Sequence, residues 1–274
     1  MNNIYITDLD HTFLRSNQTL SDFSIEVWND KIKSNNIISV ATARSFQKTN
    51  EFLKKLKINA PMVLLDGAML IDREKKLIDL KTIPKEIADI VIYESQKFDI
   101  YPFIIGLENI KTLEEKFMFC STLNSHQKDV LQSYKNDPRM QKCEDLRAMD
   151  MNLKIVFFGD FRTLNPLNNH LKNLFDNELE FKLSPENYSN GWFLTILHKN
   201  ADKAHSIVKM LEFLEEDKKN LTVFGDSLND IGMFKLAKNS IAVSNALDEV
   251  KKIASTVLTK SNDEDGVAHY LKEN

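Results

Sequence analysis

Near the amino terminus an apolar run, Ile4-Tyr5-Ile6, breaks into Asp8-Leu9-Asp10-His11-Thr12. The run reads as a short buried strand. It leaves two carboxylates at the carboxyl end of that strand, where open parallel sheets bind their ligands. Carboxylates this close raise each other's proton affinity unless a cation stands between them. A divalent ion with oxygen ligands, Mg2+, is the expected cation. Three further stations share the setting: Thr42 in Ala41-Thr42-Ala43-Arg44, Lys203 in Asn200-Ala201-Asp202-Lys203-Ala204, and the cluster Gly225-Asp226-Ser227-Leu228-Asn229-Asp230. Taken singly, each also fits a helix cap, a turn former or a solvated lysine. An acid pair, a hydroxyl, a lysine and a second acid cluster, all where loops converge, point together to phosphoryl transfer.

That chemistry needs these residue types. A phosphate monoester carries about two negative charges near neutral pH, so a carboxylate nucleophile can approach it only after that charge is offset. Mg2+ and one lysine, Lys203, can do so. Asp8 is read as the nucleophile, forming an acyl phosphate that divides a hard step into two easier ones. Asp10 can protonate the leaving oxygen and later take a proton from the attacking water. Thr42 and Asn229 can donate hydrogen bonds to phosphoryl oxygens, and Asp226 offers the metal another hard oxygen.

The elements that must position these groups alternate along the chain. Strand-like Ile37 to Ala41, Met62 to Leu65, Leu221 to Phe224 and Ile241 to Val243 are separated by helical patterns, which favours an α/β fold. Ser21-Asp22 can cap the first helix, and Met69 to Leu80 reads as a hairpin. Near Thr82-Ile83-Pro84 the character changes. Residues 83–191 are richer in strands and aromatics and are read as an inserted second domain. Residues 1–82 and 192–274 then form the two parts of the first. Tyr101, Phe103, Phe117, Phe119, Phe157, Phe158 and Trp192 fit a packed core better than a substrate box. Asn187, Ser189, Asn190 and Gly191 read as a loop that could contact a sugar hydroxyl or nothing.

The four stations, in this order, resemble the motifs of the haloacid dehalogenase superfamily, and within it the Cof-type phosphatases with a large C2 cap. The tail, from Ser244-Asn245-Ala246 to Asp265-Gly266-Val267, is similar too. The resemblance implies a Rossmann-like core with a parallel sheet and an inserted α+β cap that closes as a lid over the leaving group. It implies Asp8 as nucleophile and metal ligand, and Asp10 as general acid/base with its backbone carbonyl on the metal. Thr42, Lys203 and Asn229 would bind the phosphoryl group, and Asp226 would ligate Mg2+. Asp230 would orient Lys203 or a metal-bound water, with Ala43 and Arg44 beside it in a supporting shell. Several positions depart from the family pattern. His11, Ala43 and Ala204 stand where glycine is common, and Thr195 and His198 where glutamate and proline are frequent. Asp66 stands where asparagine is common, an added carboxylate that bears on substrate preference or metal affinity.

Composition narrows the classes. Lys and Arg number 36 against 40 Asp and Glu, a net charge of −4, which gives neither a basic field for nucleic acid nor a polybasic membrane surface. Two cysteines, Cys120 and Cys143, fit reduced thiols in a cytoplasmic protein. The start lacks the basic and apolar regions of a signal peptide, and no apolar run approaches the length of a membrane span. The expectation is a cytoplasmic Mg2+-dependent phosphatase of small phosphorylated metabolites (sugar phosphates, nucleotides or phosphorylated cofactors), acting as a monomer or weak homo-oligomer. The alternative is a phosphomutase or other phosphotransferase on the same scaffold. A non-catalytic binding protein would be expected to have lost Asp8, Asp10 or Lys203, and no Gly-x-x-x-x-Gly-Lys announces a P-loop kinase.

Overall fold

The computed structural model describes residues 3–185 and 191–274; Asn187, Ser189 and Asn190 lie outside them. In chain order the elements are β1 (Ile4–Thr7), α1 (Asp22–Lys33), β2 (Ile37–Val40), α2 (Phe46–Leu53), β3 (Met62–Leu64), β4 (Met69–Ile71) and β5 (Leu77–Leu80). There follow α3 (Lys85–Gln96), β6 (Phe103–Asn109), β7 (Glu114–Cys120), α4 (Ser125–Ser133), β8 (Met140–Cys143), β9 (Met151–Gly159), α5 (Phe161–Phe175), β10 (Leu179–Pro185) and β11 (Trp192–His198). The chain closes with α6 (Lys203–Leu214), β12 (Leu221–Gly225), α7 (Ile231–Leu236), β13 (Asn239–Ala242), α8 (Asp248–Ile253), β14 (Thr256–Val257) and α9 (Gly266–Glu273). Two compact units result, one of Met1–Leu80 with Asp202–Asn274, the other of Lys81–Ala201.

The first unit holds a parallel sheet in the order β14-β13-β12-β1-β2. Its central strands are buried on both faces, as parallel strands flanked by helices must be; Ile4, Ile6, Val40, Val223 and Phe224 have no exposed surface. The chain leaves β1 toward β2 on one side and later fills β12, β13 and β14 on the other. The strand order therefore reverses at β1, and the loops after β1 and β12 part at that point to form a crevice. A parallel bridge from Ala41 to Val63 adds the start of the β3-β4-β5 ribbon beside β2. Helix α1 starts as its sequence suggests, with the Ser21 side chain accepting from the Ser24 amide, and it buries Val27 and Trp28. Trp28 satisfies its indole N–H on the Lys57 carbonyl at 2.7 Å.

The second unit is a six-stranded sheet, β10-β11-β9-β6-β7-β8, antiparallel except for the β7–β8 pair. Residues of α3 and α5 (Val91, Leu164, Leu167, Leu171) pack with Ile104, Ile155, Phe157 and Leu194 in one cluster. Phe103, Val156 and Phe158 pack with Val130 and Leu131 of α4, and with Phe119 and Phe193, in another. The aromatics singled out in this stretch are therefore packing residues, with edge-on ring pairs such as Phe103–Phe158 and Phe158–Phe193. One assignment differs from the sequence reading. The strand from Trp192, read as a return to the first domain, pairs antiparallel with β9 and β10, so the second unit extends to Ala201. An apolar strand of seven residues fits either sheet by pattern; the pairing is decided by the neighbours it finds, not by its own sequence.

Candidate active site

Three of the four predicted stations, Asp8/Asp10, Thr42 and the Asp226–Asp230 cluster, follow strands of the first unit, and the fourth, Lys203, opens the helix α6. The Asp8 amide donates to the Phe224 carbonyl at 2.9 Å, extending the β1–β12 pairing by one residue and fixing the backbone beneath a buried carboxylate. Asp10 is extended, and His11 follows in the left-handed region at φ 54°. A non-glycine residue enters that region at a cost, which gives a physical reason for glycine at this position elsewhere. Two bonds hold the turn here: Asn245 Nδ2 to the His11 carbonyl at 2.8 Å, and the Leu14 amide to the Leu9 carbonyl at 2.8 Å. The turn aims Asp10 outward and returns Thr12 inward, where its hydroxyl donates to Asp226 Oδ1 at 2.8 Å.

After β2, Thr42 is fully buried and its Oγ1 accepts the Arg44 amide at 3.1 Å, which leaves the hydroxyl hydrogen as a donor. Arg44 reaches back to Asp10 with Nε–Oδ2 at 2.7 Å and a terminal nitrogen–Oδ1 at 2.5 Å. This two-pronged pairing, with the guanidinium stacked 4.6 Å from the Phe52 ring, orients the Asp10 carboxylate. Ala43 is half-buried between them.

Lys203 opens α6 behind an Asp202 cap that accepts the His205 amide. It has no exposed surface, and its ammonium lies 2.7 Å from Asp8 Oδ1 and 2.7 Å from Asp230 Oδ1. The other oxygen of Asp230 accepts the Asp226 and Ser227 amides at 2.9 and 3.0 Å. Asp230 thus ties the loop after β12 to the lysine. Gly225 makes room for it: a Cβ there would lie 2.5 Å from Asp230 Oδ2. Asn229 is held at both ends, its Oδ1 accepting from the Ser227 hydroxyl at 2.6 Å and its Nδ2 donating to Asp66 Oδ1 at 2.9 Å.

These groups form one electrostatic unit. Burial, then Asp230, Asp226 and Asp10, push the Asp8 carboxyl well above the ordinary range, against the pull of Lys203. Burial and Asp230 raise Asp226 to about 7, opposed by the Thr12 hydrogen bond and Lys203. Burial alone would favour neutral Lys203, but Asp230, Asp8 and Asp66 outweigh it and hold its proton more tightly than an ordinary lysine's. One ammonium does not neutralise three buried acids, so the cluster is short of positive charge. Oxygens of Asp8, Asp226 and Asp230 lie within 4.8 Å of one another. An all-oxygen donor set of this kind suits a hard divalent cation. Asp230 already spends both oxygens on Lys203 and two amides, so Asp8 and Asp226 are the carboxylates that would face the ion.

The structure thus gathers Asp8, Asp10, Thr42, Arg44, Lys203, Asp226, Asn229 and Asp230 around the crevice after β1, β2 and β12. Three partnerships have no reading from sequence: Thr12 on Asp226, Arg44 on Asp10, and Asp66 on Asn229. Alternate spacing in Asp8-x-Asp10-x-Thr12 is a signal for the first, whereas nothing local signals the other two, whose partners lie 34 and 163 positions apart.

Three comparisons bear on this site. A family profile described as haloacid dehalogenase-like hydrolase matches residues 5–271. The 5-amino-6-(5-phospho-D-ribitylamino)uracil phosphatase YwtE of Bacillus subtilis is 24% identical, over 97% of this chain and 96% of its own length. The phosphatase YitU of the same organism, named for the same substrate, is 18% identical over 97% and 95%. Among solved structures, a haloacid dehalogenase-like hydrolase from Bacteroides thetaiotaomicron superposes with a TM-score of 0.81 at 20% identity, covering 100% of this chain and 99% of that one.

Proposed function

The chain belongs to the haloacid dehalogenase-like hydrolase family and is a phosphoric monoester hydrolase of it; from that premise we propose that it acts on small phosphorylated metabolites through an aspartyl phosphate formed on Asp8, with Mg2+ as cofactor. The observation that carries this reading is the Asp8–Lys203–Asp230 arrangement. A buried carboxylate at a strand end faces a buried ammonium that a second carboxylate holds in place.

In the first step an oxygen of Asp8 attacks phosphorus, and the bond to the ester oxygen breaks as Asp10 delivers a proton to it. In the second step Asp10 takes a proton from water, whose oxygen attacks phosphorus and releases the Asp8 carboxylate and inorganic phosphate. Lys203, the Thr42 hydroxyl and the Asn229 amide offset charge on the phosphoryl oxygens. Mg2+ would be held by the carboxylates of Asp8 and Asp226 and the backbone carbonyl of Asp10, where it would supply charge neutralisation for the incoming dianion. Arg44 keeps Asp10 aimed between the two steps. Replacing Asp10 with Asn keeps the size and one acceptor but removes the transferable proton. Asp10→Asn is expected to lower kcat for p-nitrophenyl phosphate by roughly 10²–10⁴-fold with a smaller change in KM. A variant with wild-type kcat would remove Asp10 from the mechanism.

Metal dependence is readable from stability as well as from turnover. A carboxyl whose folded value exceeds its unfolded one stabilises the fold at low pH, and that contribution is lost as pH rises through the folded value. For Asp226 the window runs from 3.8 to about 7, and Asp8 shifts in the same direction. A divalent cation binds the ionised forms and releases protons. The rise in Tm on adding Mg2+ is therefore expected to be larger at about pH 8 than at about pH 5, and chelation should abolish hydrolysis. An Mg2+-independent Tm at both pH values, with full activity after chelation, would overturn the metal assignment.

A further inference from the structure

The turn after β3 is an unusual junction. Leu65, Asp66 and Gly67 lie in succession at φ 51°, 58° and 100°. Such a run is costly for side-chain-bearing residues, and the structure ties it down on three sides. The Leu65 amide donates to the Arg44 carbonyl and the Asp66 amide to the Thr42 carbonyl, both at 3.0 Å. The Gly67 carbonyl accepts from Ser206, one turn beyond Lys203, at 2.8 Å. The Asp66 carboxylate, itself only 3% exposed, takes the Asn229 amide nitrogen. One turn therefore joins the loops carrying Thr42 and Asn229 to the first turn of α6, which carries Lys203.

Asp66 also brings charge. It adds a buried carboxylate to the region of Asp8, Asp10, Asp226 and Asp230, and it contributes to the tight hold of Lys203 on its proton. A carboxylate accepts only, so it dictates which end of the Asn229 carboxamide is nitrogen. In that orientation Oδ1 accepts from the Ser227 hydroxyl, which can donate as well as accept. An amide nitrogen carries two hydrogens; Asp66 takes one and thereby aims the other.

We propose that Asp66 is a positioning residue that aims Asn229 at the phosphoryl group while its negative charge weakens retention of the phosphate product. This rests on the reading of Asn229 as a phosphoryl ligand. The two effects are separable by substitution. Asp66→Asn keeps an acceptor oxygen for Asn229, and asparagine tolerates the left-handed backbone; it removes the charge and exchanges the second oxygen for an amide nitrogen. Asp66→Gly removes charge and acceptor together, without a side chain to strain the turn.

The test is calorimetric binding of inorganic phosphate with Mg2+ present, alongside steady-state kinetics with p-nitrophenyl phosphate and a thermal melt of each variant. Asp66→Asn is expected to bind phosphate about tenfold more tightly than wild type, with product inhibition strengthened to match. Asp66→Gly shares the lost charge, so its kcat/KM is expected to fall about tenfold below that of Asp66→Asn, through KM. In an Asn229→Ala background that difference should vanish, because the two residues act through one hydrogen bond. Unchanged phosphate affinity in a folded Asp66→Asn protein, or an undiminished Gly-against-Asn difference without Asn229, would reduce Asp66 to a turn residue. A wild-type protein that neither binds phosphate nor hydrolyses the ester would instead remove the function on which the inference stands.

Discussion

Asp8→Asn is expected to lower turnover of p-nitrophenyl phosphate by roughly 10³-fold or more while leaving Tm equal to or above that of the wild type in the absence of metal. The first half follows from the chemistry: an amide does not form the acyl phosphate, so both steps disappear. The second half follows from the electrostatics. Burial and three neighbouring acids push the Asp8 carboxyl well above the ordinary range, so its ionised form destabilises the metal-free fold near neutral pH. Asparagine resembles the protonated form in shape and carries no charge. Lys203 keeps Asp230 as its partner at 2.7 Å, so the substitution strands no cation. A nucleophile held at the expense of stability is the pattern expected of a functional carboxylate, whereas a structural aspartate in the same place would lose stability on substitution. Paired activity and melting measurements decide between them. Retained hydrolysis, or a large drop in Tm, contradicts the role given to Asp8.

The positions of such residues were legible because they sit at abrupt changes of polarity. Ile4-Tyr5-Ile6 before Asp8, and Leu221-Thr222-Val223-Phe224 before Gly225-Asp226, are buried runs that stop at acids, and a strand end is the one feature that local pattern marks well. The parallel sheet and the capped α1 were readable for the same reason. What stayed hidden depends on distant pairs. Nothing near Asp66 in sequence announces Asn229, 163 positions away, as its partner. Trp192–His198 alternates no differently from a strand of the first unit, and only its pairing with Phe158 and Leu183 neighbours assigns it. Met140–Cys143 is a half-exposed edge strand without an apolar run, so periodicity had nothing to register. Helix α4 could have been found: Asn124 and Gln127 form a reciprocal cap, and the Asn-x-x-Gln spacing is visible in the sequence.

Lys203→Met is expected to be the opposite of Asp8→Asn, losing stability and activity together. Methionine approximates the volume of the lysine stem, so packing around a side chain with no exposed surface is largely kept and the change isolates the charge. Without the ammonium, Asp8 and Asp230 face each other in a buried site with their shared counter-charge gone. Removing one partner of a buried ion pair costs about 3–5 kcal/mol, and this lysine serves two. The loss should be larger near pH 8 than near pH 5, because carboxyls already raised by burial can take up protons at the lower pH. Turnover should fall by about 10²–10³-fold, since the phosphoryl oxygens lose their only fully buried cation among the described residues. Adding Asp8→Asn to Lys203→Met should restore part of the Tm, because the double variant no longer places two like charges in contact. Lys203→Arg should not rescue turnover: a planar guanidinium does not fit the volume in which a compact ammonium lies 2.7 Å from both carboxylates. If Lys203→Met melted like the wild type at pH 8 and still turned over substrate, the lysine would be a bystander, and the positive charge that attack of Asp8 on a phosphate dianion requires would not come from it.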